Sequence, residues 1–311
     1  NCQNSTTDTD YIYWPNYWTN DFFYNLDIIS RKSVENNLPF IYVLTPFFKT
    51  TSQQTLLKNK YEFNYVIYSA LLYGAKGIQY WHAGVFYKSC WFSVDEEVKE
   101  YLKDLHKKFT EKEQILLSLK FQGAYHYSNF STIKPGYTEK IPSYSNWSNF
   151  NDNIYANEIF NLSDPIQSNS SIDSIVISFL IDDFSNRYFW IFNKSMTSAQ
   201  TLQLNLSDSC SVYNIFGDET CPISNNITVS LEPGEAKLYR VFFVNDTIDI
   251  SQTKTWCENK VVTNEIIIHP SGTLTISDTV RFDKRASIII KPGGKLVLDG
   301  GTLTNACDND T

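Results

Sequence analysis

The sequence predicts a multidomain chain, α/β at its start and all-β thereafter, on three observations. Strand-like and helix-like segments alternate over residues 1–120, short strands parted by turn signals fill 121–247, and a repeat with an offset of 22 residues runs through 248–311. A length of 311 residues also exceeds one ordinary domain.

Over 1–120, Tyr11 to Trp14 reads as a short aromatic strand and Asp21 to Asn36 as a helix. Phe40 to Leu44 is a continuous apolar run of the kind buried on both faces of a parallel sheet. Gln53 to Tyr73 places Leu56, Leu57, Phe63, Val66, Ile67, Ala70 and Leu71 at helical spacing, with Gly74 as C-cap before a strand from Gly77 to Trp81. A last helix with a charged outer face is predicted from Val94 to Leu119. This rhythm implies a parallel sheet, either doubly wound or a (β/α) barrel, with helices packed outside. Three strands close neither, so partner strands are expected upstream.

From Phe121 the helical periodicity vanishes, and Ser, Asn, Tyr and Pro rise in either a long surface loop or the entry to a new domain. Short strands follow: Ser174 to Ile181, Arg187 to Asn193, Thr201 to Leu206, Ser211 to Ile215, Ile227 to Leu231 and Ala236 to Val244. That spacing reads as an antiparallel β-sandwich over 121–247. Within it Cys210 and Cys221 flank a strand-turn-strand segment and form a disulfide if those strands are neighbours. In the third region Pro270 to Ile276 recurs as Pro292 to Leu298, and Gly300-Gly301-Thr302-Leu303 echoes it. Such a period marks a β-solenoid, whose turns bury apolar residues only by stacking on neighbours, so further turns are expected downstream. The missing initiator Met and a stop at Thr311 inside the repeat agree with a chain continued at both ends.

Composition narrows the function classes. With 42% hydrophobic and 15% aromatic residues the chain can build real cores. A net charge of −8 argues against nucleic acid, whose binders concentrate Lys and Arg. No apolar run approaches the roughly 20 residues of a membrane span. The six cysteines show no CxxC pair and no close His, so neither a metal nor a cofactor is expected. Asn-x-Ser/Thr triplets are frequent, as chance gives in a chain rich in Asn, Ser and Thr.

The segment Phe63 to Trp81, FNYVIYSALLYGAKGIQYW, resembles the last helix and final strand of the barrel in glycoside hydrolases related to the family 42 β-galactosidases, especially their Bacteroidota relatives. Leu38 to Phe47 resembles the preceding strand, and Ser178 to Ser195 with Leu231 to Val241 look like the β-domain that follows such barrels. The closing repeat is similar to repeat regions of Bacteroidota surface and type IX-secreted proteins. The resemblance implies the C-terminal part of a (β/α)8 TIM barrel over 1–120, the sandwich, and the start of a right-handed solenoid. It also implies an extracellular or cell-surface protein that cleaves or binds glycans.

A retaining glycosidase needs two carboxylates about 5 Å apart, supplied from the carboxyl ends of barrel strands. One is expected upstream of this sequence. The other should follow Leu44, where the chain reads Thr45-Pro46-Phe47-Phe48-Lys49, without an acid. Glu62, the next carboxylate, falls on a helix face, and Asp95, Glu96, Glu97 and Glu100 favour a helix dipole and solvation. No catalytic residue is therefore assigned. A carbohydrate-binding wall is expected instead from Trp14, Tyr17 and Trp18 after the first strand, Thr45 and Phe47 after the second, and Tyr80, Trp81 and His82 after the third.

Overall fold

In the computed structural model, described residues are 22–44, 47–49, 54–57, 59–80, 95–128, 140–168, 171–217, 223–224, 226–243, 247–262, 264–282 and 286–305. They fall into two compact units. The first holds the chain up to Asn153, then Ser168–Leu202 and Val229–Leu238; the second holds Ile154–Gln167, Gln203–Thr228 and the chain from Tyr239 on.

The first unit opens with α1 (Phe22–Asn36), which buries Phe23, Leu26, Asp27 and Ser30, one stripe at spacings of three and four. The strands β1 (Ile41–Leu44) and β2 (Gly77–Tyr80) pair in parallel, from Ile41 opposite Gly77 to Leu44 opposite Tyr80. The expectation that β1 is buried on both faces is corrected, because Ile41 is 62% exposed and Val43 38%, while Leu44 is fully buried.

Between these strands lies α2 (Lys60–Leu72), shorter than the helix predicted from Gln53. Residues Gln54–Leu56 instead pair antiparallel with Phe47–Lys49. The helix starts where Asn59 can cap it, its side-chain oxygen accepting the N–H groups of Tyr61 and Glu62 at 3.0 and 3.1 Å. It stops at Gly74, whose φ of +88° suits glycine, and whose N–H donates to the Leu71 carbonyl at 2.9 Å. Every residue from Phe63 to Leu72 is buried. The predicted last helix is broken at Lys112 into α3 (Glu96–Glu111), which buries Val98, Leu102 and Leu105, and a short helix Glu113–Ser118.

The chain then forms β3 (Lys120–His126), a strand the sequence reading passed over, antiparallel to β4 (Ile175–Ile181), which is antiparallel to β5 (Arg187–Asn193). The middle strand is buried on both faces because both are covered. On one face Ser178 donates to the Leu72 carbonyl of α2 at 2.7 Å, and Tyr68 and Tyr65 of α2 meet Trp190 and Phe192. On the other, Phe150 packs on Phe179 and Tyr125.

These contacts do not show the expected barrel. A helix on the outside of a barrel keeps a solvent face, whereas α2 is buried all round against an antiparallel sheet. Among the described residues no closed barrel is present, and the parallel element of this unit is the two-stranded pair.

In the second unit, β6 (Cys210–Asn214) pairs antiparallel with Tyr239 to Phe243 of β7 (Ala236–Phe243) and with Ile223–Ser224. The repeat follows as three coils. The first contains β8 (Ile248–Ile250), β9 (Thr253–Trp256) and β10 (Lys260–Val262). The second contains β11 (Glu265–Ile268), β12 (Thr273–Ile276) and β13 (Thr279–Phe282). The third contains β14 (Ser287–Ile290), β15 (Lys295–Leu298) and β16 (Thr302–Asn305). Corresponding strands of successive coils pair in parallel, giving three ladders of three strands.

The predicted offset is visible in the ladders, since Thr273 lies opposite Lys295, 22 residues on. The coil from Ile248 to Val262 was not legible as a repeat, because its shorter turns shift the match: Thr253 stands opposite Thr273. Inside the stack Ile266, Ile268, Leu274, Ile276 and Val280 are fully buried. Two adjacent glycines serve one corner of the third coil. Gly293 adopts a φ of +90°, and a Cβ on Gly294 would come within 2.7 Å of the Ile268 carbonyl oxygen.

Candidate functional site

Of the predicted ligand wall, Tyr80 lies among the described residues with its side chain placed; Trp14, Tyr17, Trp18, Thr45, Trp81 and His82 lie outside them. Tyr80 ends β2, opposite the buried Leu44. Its hydroxyl lies 2.5 Å from Nε2 of His106 on α3, with the rings edge to face at 5.5 Å. Burial raises the Tyr80 pKa and lowers that of His106, so both groups are neutral near pH 7. A hydrogen bond between two neutral groups anchors a helix to a strand end and transfers no proton. Tyr80, the wall member whose side chain is placed, thus has its hydroxyl engaged within the protein; Phe47 is described only through its strand pairing.

The carboxylates near this end behave as surface groups. Glu62 sits in the first turn of α2, where negative charge suits the helix dipole. Glu96 and Glu100 of α3 form i,i+3 ion pairs with Lys99 and Lys103 at 2.8 and 3.2 Å. Cys221 lies outside the described residues. Cys210 is buried, with Sγ 3.3 Å from the Ile159 carbonyl oxygen. Among the described residues no group of three His, Cys, Asp or Glu side chains is placed to hold a metal ion.

Sequence reasoning missed a second constellation, buried under α1. The Asp27 carboxylate is fully buried and accepts from Arg31 at 2.8 Å and from the Tyr144 hydroxyl at 2.7 Å. Nearby, Nε2 of the fully buried His126 lies 2.8 Å from the Tyr73 hydroxyl, while Nδ1 has no hydrogen-bond partner among the described residues. Ser30 donates to the Tyr73 carbonyl. Lys194, also fully buried, donates to the Ser128 carbonyl at 2.9 Å and lies over the Phe23 ring. Burial, with the Lys194 charge adding to it, drives the His126 pKa well below its ordinary value. His126 is held neutral and cannot act as a cation.

Part of this was available in the sequence. Asp27 and Ser30 stand on the apolar stripe of α1, and a polar residue at a core position must find a partner. His126 gave no signal, because its strand was not recognised. The cluster ties α1 to β3 and β5 and fits a packing role: each of its charged groups has a partner among neighbouring side chains or carbonyls.

The coil stack carries polar rows on its outside. His269 contacts Asp249 at 2.7 Å and Arg281 donates to Asn259 at 2.7 Å, each pair linking successive coils. Beside the third coil an open groove is lined by Phe282, Ala286, Ser287, Ile288, Leu303, Thr304 and Asn305. No family model, curated protein or solved structure matches this chain.

Proposed function

We propose that this chain belongs to an extracellular protein of glycoside hydrolase ancestry that binds glycans without cleaving them. The observation that carries the reading is the strand end facing the expected site. No acid follows β1 in the sequence Thr45-Pro46-Phe47-Phe48-Lys49, and the Tyr80 hydroxyl opposite is engaged by His106. A retaining mechanism without its second carboxylate has no nucleophile, while aromatic rings such as Trp81 remain suited to sugar C–H faces. The net charge of −8 is compatible with neutral or cationic sugars.

A second reading, a surface scaffold whose coil stack is the interacting part, is favoured by the regular ladders and the groove beside the third coil. Incubating the purified chain with aryl-glycosides and profiling it on a glycan array separates these readings. Glycan affinity without turnover, reduced by Trp81→Ala or His82→Ala, is the expected result. Hydrolysis overturns the binding-only reading, and no glycan affinity leaves the scaffold.

A further inference from the structure

We propose that α1 is an acid-released cover: when His126 takes up a proton, this helix lifts off β3 while the sheet beneath it stays paired.

His126 ends β3, and neighbouring side chains of a strand point to opposite faces. Tyr125 turns to Phe150, so His126 points the other way, into the space under α1. The elements around it close that space against an imidazolium. From α1, the ring of Phe23 meets the imidazole edge to face at 4.7 Å. The carboxylate one turn further on, Asp27, already accepts from Arg31 and from the hydroxyl of Tyr144 in the turn Ser143–Ser145. Past the end of α2, the Tyr73 hydroxyl lies 2.8 Å from Nε2. On β4, Val176 stands opposite His126 and brings no charge. Just after β5 comes Lys194, fully buried, whose charge opposes a second cation beside it. Nδ1 has no hydrogen-bond partner among the described residues. A protonated ring donates from both nitrogens and needs an acceptor at each, which water supplies once a neighbour moves.

The helix α1 is held on by side chains. Ser30 donates to the Tyr73 carbonyl at 2.5 Å, Tyr144 donates to Asp27 at 2.7 Å, and the Phe23 ring packs on Tyr65 and Tyr73. Its other side is exposed at Ile28, Ile29 and Val34. The strand β3, by contrast, is paired through its backbone with β4 from Lys120 to His126, and β4 with β5 from Ile175 to Ile181. Lifting α1 breaks a few side-chain contacts and hydrates both His126 and Lys194, whereas moving β3 breaks a ladder. Local opening follows the weaker attachment. The closed form refuses the proton and the open form takes it. Closure is therefore at full strength above pH 6.5, and below it the open fraction rises by up to about tenfold per pH unit.

Hydrogen exchange of the full chain, read by mass spectrometry from pH 7.5 to 5.5 and corrected for the intrinsic rate at each pH, tests this. Protection of α1 should fall by about tenfold over that range while protection of β4 stays constant. His126→Gln should abolish the fall. Lys194→Met, which keeps the imidazole and removes the cation beside it, should make the fall smaller, and it carries the test if the first variant does not fold. Protection lost from α1 and β4 in step would mean that acid unfolds the unit as a whole, which overturns the proposal. An α1 whose protection ignores pH, or a fall of native size in a folded variant, overturns it as well.

Discussion

The core under β4 and the core of the coil stack are built from different materials, and the difference decides how each will fail. Around β4 the filling is aromatic and irregular: Phe23, Tyr65, Tyr73, Phe150, Phe179 and Trp190 are each almost wholly buried, in mutual orientations from stacked to edge-on. In the stack the filling is aliphatic and repeated, with Ile266, Ile268, Leu274 and Ile276 seated on like residues one coil away. The first is a set of unique sites. The second is a row in which each residue is worth what its neighbours cover.

The sharpest way to break this comparison is Trp190→Ala. Its ring fills a fully buried site against Tyr68, so the change should cost about 3–5 kcal/mol, measured by denaturant unfolding. A loss near 1 kcal/mol would show that the aromatic core collapses around the hole and is less of a jigsaw than its geometry suggests.

Within the stack the prediction is a gradient. Leu274→Ala, fully buried, should cost about 2–3 kcal/mol, and Leu296→Ala, its partly buried ladder partner in the third coil, about 1 kcal/mol. Equal losses at the two positions would mean that Leu296 is as well covered in solution as Leu274.

The same contrast explains what the sequence disclosed. A periodic core writes itself into the sequence as a period, and the match of Pro270 to Ile276 with Pro292 to Leu298 marks one of the ladders. The coil from Ile248 to Val262 escaped because its turns are shorter, although its inward residues Ile250, Trp256 and Val262 follow the same logic. The jigsaw core leaves no such trace. That α2 packs on β4 and β5 depends on Ser178, Trp190 and Phe192 meeting residues more than a hundred positions away, and local pattern carries no record of that distance. The apolar run of α2 was legible, but whether it lines a barrel or covers an antiparallel sheet is a tertiary choice. As for the site, the sequence named Tyr80; the partner that engages its hydroxyl, His106, lies on another element and was invisible to spacing.

Buried polar groups sharpen the comparison through pH. The described polar pairs linking coils of the stack, such as His269 with Asp249, lie on its exposed outside, whereas His126 is buried and held neutral. Its folded pKa lies well below the ordinary 6.5, so below about pH 6.5 the unfolded chain binds a proton that the folded chain refuses. The stability His126 contributes is therefore complete above pH 6.5 and is lost as pH falls toward the folded value, by up to about 1.4 kcal/mol per pH unit. Unfolding followed from pH 7.5 to 5 should show this slope in the native chain and a shallower one in His126→Gln. An unchanged slope would place the acid sensitivity elsewhere.

The smallest effect expected bears most on function. Tyr80→Phe keeps the ring against His106 and removes one hydroxyl, so its stability cost should be about 1 kcal/mol, the net worth of a hydrogen bond between neutral groups. If the hydroxyl serves only to fasten α3 to the end of β2, glycan affinity in the variant should equal that of the native chain once both are measured well below their unfolding midpoints. If the hydroxyl instead exchanges His106 for a sugar when ligand arrives, affinity should fall severalfold while stability changes little. The ratio of the two losses thus reports whether this strand end is part of the packed first unit or part of a binding surface laid over it.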